Sequence, residues 1–204
     1  SGNVSSVNVS YHGDGNISLS SNINDGLVGY WPFQGIGTIA NNMNSPPFPN
    51  ATNQGTLTNM NQGLNNCTGN CSGWTSGGRI GNGMAFDGVN DYVNAGNNPS
   101  LNFGNTTHFS IVAWIKPNTF NKIINKIGTT NYYDFRISGG NKIILDLKDS
   151  NLTTASIVSS SSITYGVWTH IVVTANRTST GQVYINGIAN GASVNISTIG
   201  NISN

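Results

Sequence analysis

The run Gln182-Val183-Tyr184-Ile185-Asn186-Gly187-Ile188-Ala189 constrains the fold more than any other stretch. Asn-Gly between alternating apolar residues favours the two-residue type I′ turn that joins antiparallel strands. Runs of similar character recur at residues 109–116, 123–127, 132–138, 142–147, 156–159 and 167–174, each bounded by Gly, Pro, Asn or Ser. No helical periodicity competes with them. The reading is all-β: a two-sheet antiparallel jelly-roll sandwich. Residues 109–116 are apolar at odd and even positions alike, which predicts a central strand covered on both faces. Residues 77–94 read as two short strands around Asp87-Gly88, a hairpin onto which later strands pair or pack. Residues 34–76, rich in Asn, Gly and Pro, read as a long loop.

Charge narrows the function classes. Only 7% of the 204 residues are charged, the net charge is +1, and there is no Glu. The seven acids are Asp14, Asp25, Asp87, Asp91, Asp134, Asp146 and Asp149. The eight Lys and Arg are scattered, so no basic stripe suggests nucleic acid or a membrane surface. No apolar run reaches 18 residues, so no membrane-spanning helix is expected. So few ionisable groups should leave stability nearly indifferent to pH. The chain opens on Ser1, consistent with a removed leader or with a start inside a longer protein.

Export is the expected context. Cys67 and Cys71 lie in Cys-Thr-Gly-Asn-Cys and read as a small-loop disulfide, with two unpaired loop thiols as the alternative. Asn-x-Ser/Thr sequons begin at Asn3, Asn8, Asn16, Asn50, Asn66, Asn70, Asn105, Asn151, Asn176, Asn195 and Asn201. They read as N-glycan acceptors of a secreted, cell-surface glycoprotein, against the alternative of an unmodified Asn-rich surface.

Residues 1–25 form a polar extension. Val7, Val9 and Tyr11 alternate with Asn8 and Ser10, and Ile17 and Leu19 follow a His-Gly-Asp-Gly turn. The main domain is expected from residue 26 to residue 204, opening on Leu27-Val28-Gly29-Tyr30-Trp31-Pro32-Phe33.

Five motifs stand in a fixed order: Gly26-Leu27-Val28-Gly29-Tyr30-Trp31; Phe86-Asp87-Gly88-Val89-Asn90-Asp91-Tyr92-Val93; Phe109-Ser110-Ile111-Val112-Ala113-Trp114-Ile115-Lys116; Val167-Trp168-Thr169-His170-Ile171; and Val183-Tyr184-Ile185-Asn186-Gly187. Their order and spacing resemble the laminin-G-like, concanavalin-A-like jelly rolls over about residues 26–194. The resemblance implies two packed antiparallel sheets and leaves activity open, since lectins, adhesion modules and glucanases share this fold. Such proteins usually continue past the Asn-Gly hairpin with a further strand, a glycine and a final Ile-Asp-x-Val-x-Ile-Tyr strand, which this sequence lacks. One reading is that residues 3–11, with Val4, Val7, Val9 and Tyr11 as the contacting side chains, fill that gap in the same or a neighbouring subunit. From a neighbour, the contact would not close and would build a filament. A truncated C-terminus or divergent final strands is the other reading.

Catalysis is not expected. Glucanases of this fold use a Glu-x-Asp-x-Glu strand, and a chain without Glu lacks it. Asp146 in Leu-Asp-Leu reads as an outward carboxylate, His12, His108 and His170 are far apart, and Trp168, His170 and Val172 read as one face of a buried strand. Asp87, Asn90 and Asp91 put three oxygen donors on one turn, which calcium or plain Asx hydrogen bonding would explain. Trp74, Tyr132, Tyr133 and Tyr165 are candidates for stacking on sugar rings, with core packing as the alternative. The functional expectation is a non-enzymatic extracellular subunit of a surface filament or surface layer, self-associating by strand complementation. The alternative is a secreted module that binds extracellular polysaccharide. No cofactor is expected.

Overall fold

The computed structural model describes residues 7–10, 16–19, 26–43, 50–63 and 72–203; for 7–10, 16–19, 50 and 51 only the backbone is described. Cys67, Cys71, Val4 and Tyr11, and the sequons at Asn3, Asn66 and Asn70, lie outside the described residues.

Two sheets form the body. One contains β9 (Lys122–Ile127), β10 (Tyr132–Ile137), β11 (Lys142–Lys148) and β12 (Thr154–Ser162) in the order β12-β11-β10-β9. The other contains β8 (Phe109–Ile115), β13 (Thr169–Ala175), β14 (Thr180–Ile185) and β15 (Ile188–Ala189) in the order β15-β14-β13-β8, with β16 (Val194–Asn195) also on β14. All pairings in both sheets are antiparallel. Alternation decides what lies between them. Tyr133, Phe135 and Ile137 of β10 and Ile143, Leu145 and Leu147 of β11 meet Ile171, Val173 and Ala175 of β13 in one apolar core. The sheets approach so closely at Gly181 that a Cβ there would lie 2.1 Å from Cδ1 of Ile157. The Asn-Gly turn is of the expected kind, with φ of 50° at Asn186 and 83° at Gly187.

The expectation for residues 109–116 is corrected. Among the described residues β8 sits at the edge of its sheet, and only Phe109 and Ile111 of its inward side are fully buried. Val112 and Trp114 point away from the core, with Val112 59% exposed. An apolar residue on the second face therefore marks an open surface, where the sequence pattern had suggested a second cover.

The hairpin expected at residues 77–94 is also replaced. β6 (Gly83–Ala85) pairs with β5 (Gly73–Thr75), whereas β7 (Tyr92–Asn94) pairs with β4 (Asn50–Thr58), itself paired with β3 (Ile39–Asn42). Among the described residues, the stretch 34–76 read as loop thus contains three strands. Their polar residues hid them: β4 reads Asn-Ala-Thr-Asn-Gln-Gly-Thr-Leu-Thr. Buried asparagines fasten the approach segment to these strands. Asn42 accepts from Tyr30 N (2.7 Å) and donates to Thr52 O (2.9 Å), while Asn53 donates to Val28 O (2.9 Å) and Ser100 Oγ (2.8 Å). Each supplies the partner that a buried backbone group needs.

β1 (Val7–Ser10) and β2 (Asn16–Leu19) pair with each other, Val7 opposite Leu19 and Val9 opposite Ile17. Among the described residues they join no other sheet.

Candidate functional site

The sandwich has two dissimilar ends. At one, the β13–β14 turn at residues 176–179 lies beside the β11–β12 turn at residues 149–153. The opposite end holds the Asn186-Gly187 turn, the β8–β9 loop at 116–121, the β10–β11 turn at 138–141 and the β12–β13 connection at 163–168. Backbone bonds tie that end together: Gly166 N to Pro117 O (2.8 Å), Ile137 N to Asn121 O (2.9 Å) and Ile163 N to Asn141 O (2.8 Å).

Two shallow clefts open at the Asn186 end. The larger, about 550 Å³, is lined by Gly88, Thr119, Phe120, Asn121, Lys122, Arg136 and residues 137–139. Phe120 is 59% exposed, an aromatic ring held out from a polar loop. The β9–β10 register slips between Phe135 and Arg136, setting Arg136 opposite Lys122 at the cleft wall. Behind them an ionic row crosses the outer face of the sheet. Lys122 Nζ lies 3.6 Å from Asp134 Oδ2, and Arg136 Nη2 lies 2.7 Å from Asp146 Oδ2, whose other oxygen accepts from Ser156 Oγ. Asp134 Oδ1 is buried and, among the described residues, has no hydrogen-bond partner. Burial pushes the Asp134 carboxyl above its ordinary value; Lys122 and Arg136 pull it down, and Asp146 adds to the rise.

The second cleft, about 320 Å³, is lined by Trp114, His170, Asn186 and Gly187. The Trp114 and His170 rings lie 5.1 Å apart, and Arg79 Cζ stands 4.8 Å over the indole. Trp114 stays 41% exposed. Asn186 Oδ1 accepts from His170 N at 3.0 Å, which fixes the floor of the cleft. His170 therefore belongs to the outer face. The buried face of β13 is made by Thr169, Ile171, Val173 and Ala175, which corrects the reading of Trp168, His170 and Val172 as a buried set.

Other residues singled out from the sequence are dispersed. Trp74 is 2% exposed and donates to Gly37 O (2.7 Å), and Tyr133 lies in the main core, so neither presents a free ring. Tyr165 packs against that core and Tyr132 is half-buried on the outer face of β10. Asp87 Oδ1 accepts from Val89 N (2.8 Å) and Asp91 Oδ2 from Asp87 N (2.7 Å), the Asx-turn geometry, while Asn90 O accepts from Asn59 Nδ2 (3.0 Å). No group of three or more His, Cys, Asp or Glu converges among the described residues. Phe120, Lys122, Arg136 and Arg79 were not singled out from the sequence. The one signal for Phe120 was a lone aromatic in a Pro-Asn-Thr turn.

Short antiparallel strands folded into two facing sheets place the molecule among the jelly-roll sandwiches. The chain belongs to the concanavalin A-like lectin/glucanases superfamily, whose laminin-G-type family model matches residues 87–203. A solved structure agrees on the fold. The binding domain of Paraclostridial Mosquitocidal Protein 1 is similar at 21% identity and a TM-score of 0.52, over 62% of this chain and 34% of that one. The botulinum neurotoxin serotype G binding domain is similar at 25% identity and a TM-score of 0.43, over 49% of this chain and 27% of that one. This chain thus spans about a third or less of the length of these structures. No curated protein matches the sequence. Among the described residues, no helix is long and apolar enough to cross a membrane.

Proposed function

We propose that the chain is a non-enzymatic extracellular binding module that engages carbohydrate at its Asn186 end and serves in adhesion. The observation that carries this reading is the pairing of Phe120, a protruding ring, with Lys122, Arg136, Asn121 and Thr119 around one open cleft. A sugar offers an apolar CH face and a rim of hydroxyls, and a ring beside convergent polar groups matches both. Trp114 with His170 and Asn186 repeats the arrangement next door. Hydrolysis is not part of the proposal. Asp134 and Asp146 face each other across β10 and β11, and Arg136 contacts both, an ionic row on the outer face of the sheet. The binding reading also needs no metal. A glycan array probed with the intact chain and with Phe120→Ala tests it: the account expects saccharides bound by the first and lost, by tenfold or more, in the second. An array with no saccharide bound would remove the carbohydrate reading.

A specific observation favours a second reading, the subunit of a surface filament or layer. β8 offers a seven-residue edge that pairs only with β13 among the described residues, beside the exposed Val112 and Trp114. Under this reading residues 1–25 act as an extension separate from the domain at 26–204, and a strand containing Val4, Val7, Val9 and Tyr11 from a second copy adds to that edge. The strand character of residues 7–10 supports it. Sedimentation of the chain with and without residues 1–23 separates the two readings: concentration-dependent polymers lost on deletion favour the filament, and an unchanged monomer excludes it.

A further inference from the structure

Five sequon asparagines have described side chains near the Arg177 end, and all five are exposed: Asn105, Asn151, Asn176, Asn195 and Asn201. Widely separated in sequence, they gather around one buried hub. Arg177, directly after Asn176, donates through Nη2 to Ile199 O (2.9 Å) and Gly200 O (2.6 Å), and through Nε to Gly104 O (3.4 Å), beside Asn105. Asp149 accepts from Gly200 N (2.7 Å), next to Asn201, and from Asn151 N (2.9 Å). Asn195 pairs with Thr180 at the start of β14, and Ile196 N donates to Ser179 O (2.9 Å). The same hub that closes the core therefore brings the five acceptor motifs to one end.

Three of the motifs share a local geometry. Asn176 Oδ1 accepts from Thr178 N (3.2 Å) and Thr178 Oγ1 (3.0 Å). Asn195 Oδ1 accepts from Ser197 N (3.0 Å) and Ser197 Oγ (2.8 Å). Asn201 Oδ1 accepts from Ser203 N at 2.8 Å. Each is an Asx turn closed by the hydroxyl residue two positions on. In all three Oδ1 is engaged within the motif itself, and the asparagine is an exposed residue.

We infer that the Arg177 end is an N-glycan acceptor surface carrying glycans on Asn105, Asn151, Asn176, Asn195 and Asn201. The donor is a lipid-pyrophosphate-linked oligosaccharide. In the transfer, Nδ2 forms a bond to the anomeric carbon and gives up one proton, and the bond from that carbon to pyrophosphate oxygen breaks, its electron pair leaving with the lipid pyrophosphate. Glycans there clothe the end opposite the two clefts, so decoration and target binding do not compete for surface. The inference stands independently of the ligand at the Asn186 end.

The test is glycopeptide mapping of the intact chain secreted from a glycosylating eukaryotic host. Enzymatic deglycosylation in heavy-oxygen water marks each occupied Asn as a labelled Asp. The expected result is label at all five positions, and loss of one glycan in each of Thr178→Ala and Ser197→Ala, which keep the asparagine. A secreted chain with these five positions bare, whether or not label is found at the N-terminal sequons, overturns the inference. The wild-type map decides the matter even where a variant fails to secrete.

Discussion

Arg177 carries a charge into a place where 1% of its surface meets solvent. Burial lowers its pKa and nearby Asp149 works the other way, while the guanidinium is tied to backbone carbonyls rather than to a paired carboxylate. Truncating it would orphan those carbonyls and open a void. Arg177→Ala is expected to cost about 3 kcal/mol, read as a shifted denaturant midpoint. Asp149 sets the acid limb. Burial works to raise its pKa, but backbone N–H bonds from Gly200, Thr153 and Asn151 more than offset this and hold the carboxyl below its ordinary value. A depressed folded pKa contributes stability above the ordinary aspartate value and loses it as pH falls through the lower, folded one. Asp149→Asn should therefore weaken the fold at neutral pH and flatten the loss of stability expected below about pH 4. Asp134, raised by burial, works in the opposite sense and partly masks that limb in the parent chain. At the alkaline side burial pushes the Tyr133 phenol up to about 12. Stability should be complete below about pH 10, where unfolded tyrosine begins to ionise, and fall until the folded phenol follows. Ultraviolet titration should find one tyrosine ionising last, and Tyr133→Phe should remove it.

Among the elements, the closest approach of the sheets is at Gly181 against Ile157. Gly181→Ala is expected to destabilise by about 1–3 kcal/mol through overpacking. Combined with Ile157→Val it should cost less than the sum of the single changes, a coupling that a double-mutant cycle in urea measures. The strands from β8 to β15 were legible in the sequence because inward Phe135, Leu145, Ile171 and Val173 alternate with outward residues, and because Asn186-Gly187 names its own turn, whereas β16, past the hairpin where no further strand was expected, was not. β3 to β5 were not legible, since their partners are held by Asn42, Asn53 and Trp74 through hydrogen bonds, and amide-rich sequence looks like loop whichever it becomes. β8 misled for a related reason. Apolar outward residues are written alike whether a second layer covers them or solvent does. The candidate site was harder still, because it joins Phe120, Lys122 and Arg136 across a bulge that no local pattern announces.

Taken whole, the molecule is polarised: buried Arg177 and five exposed sequon asparagines at one end, two clefts with Trp114 and Phe120 at the other. That division predicts that substitutions separate cleanly. Phe120→Ala and Trp114→Ala should impair binding with small changes in melting temperature, because Phe120 is mostly solvated and Trp114 lies on the outer face away from the core, whereas Arg177→Ala should do the reverse. The most direct measurement is nuclear magnetic resonance of the labelled chain titrated with the saccharide that the array selects. The account predicts shifts concentrated at Thr119–Lys122, Arg136–Gly139 and the Trp114 indole, with the Arg177 end silent. Shifts confined to the Arg177 end, or none at saturating saccharide, would contradict it.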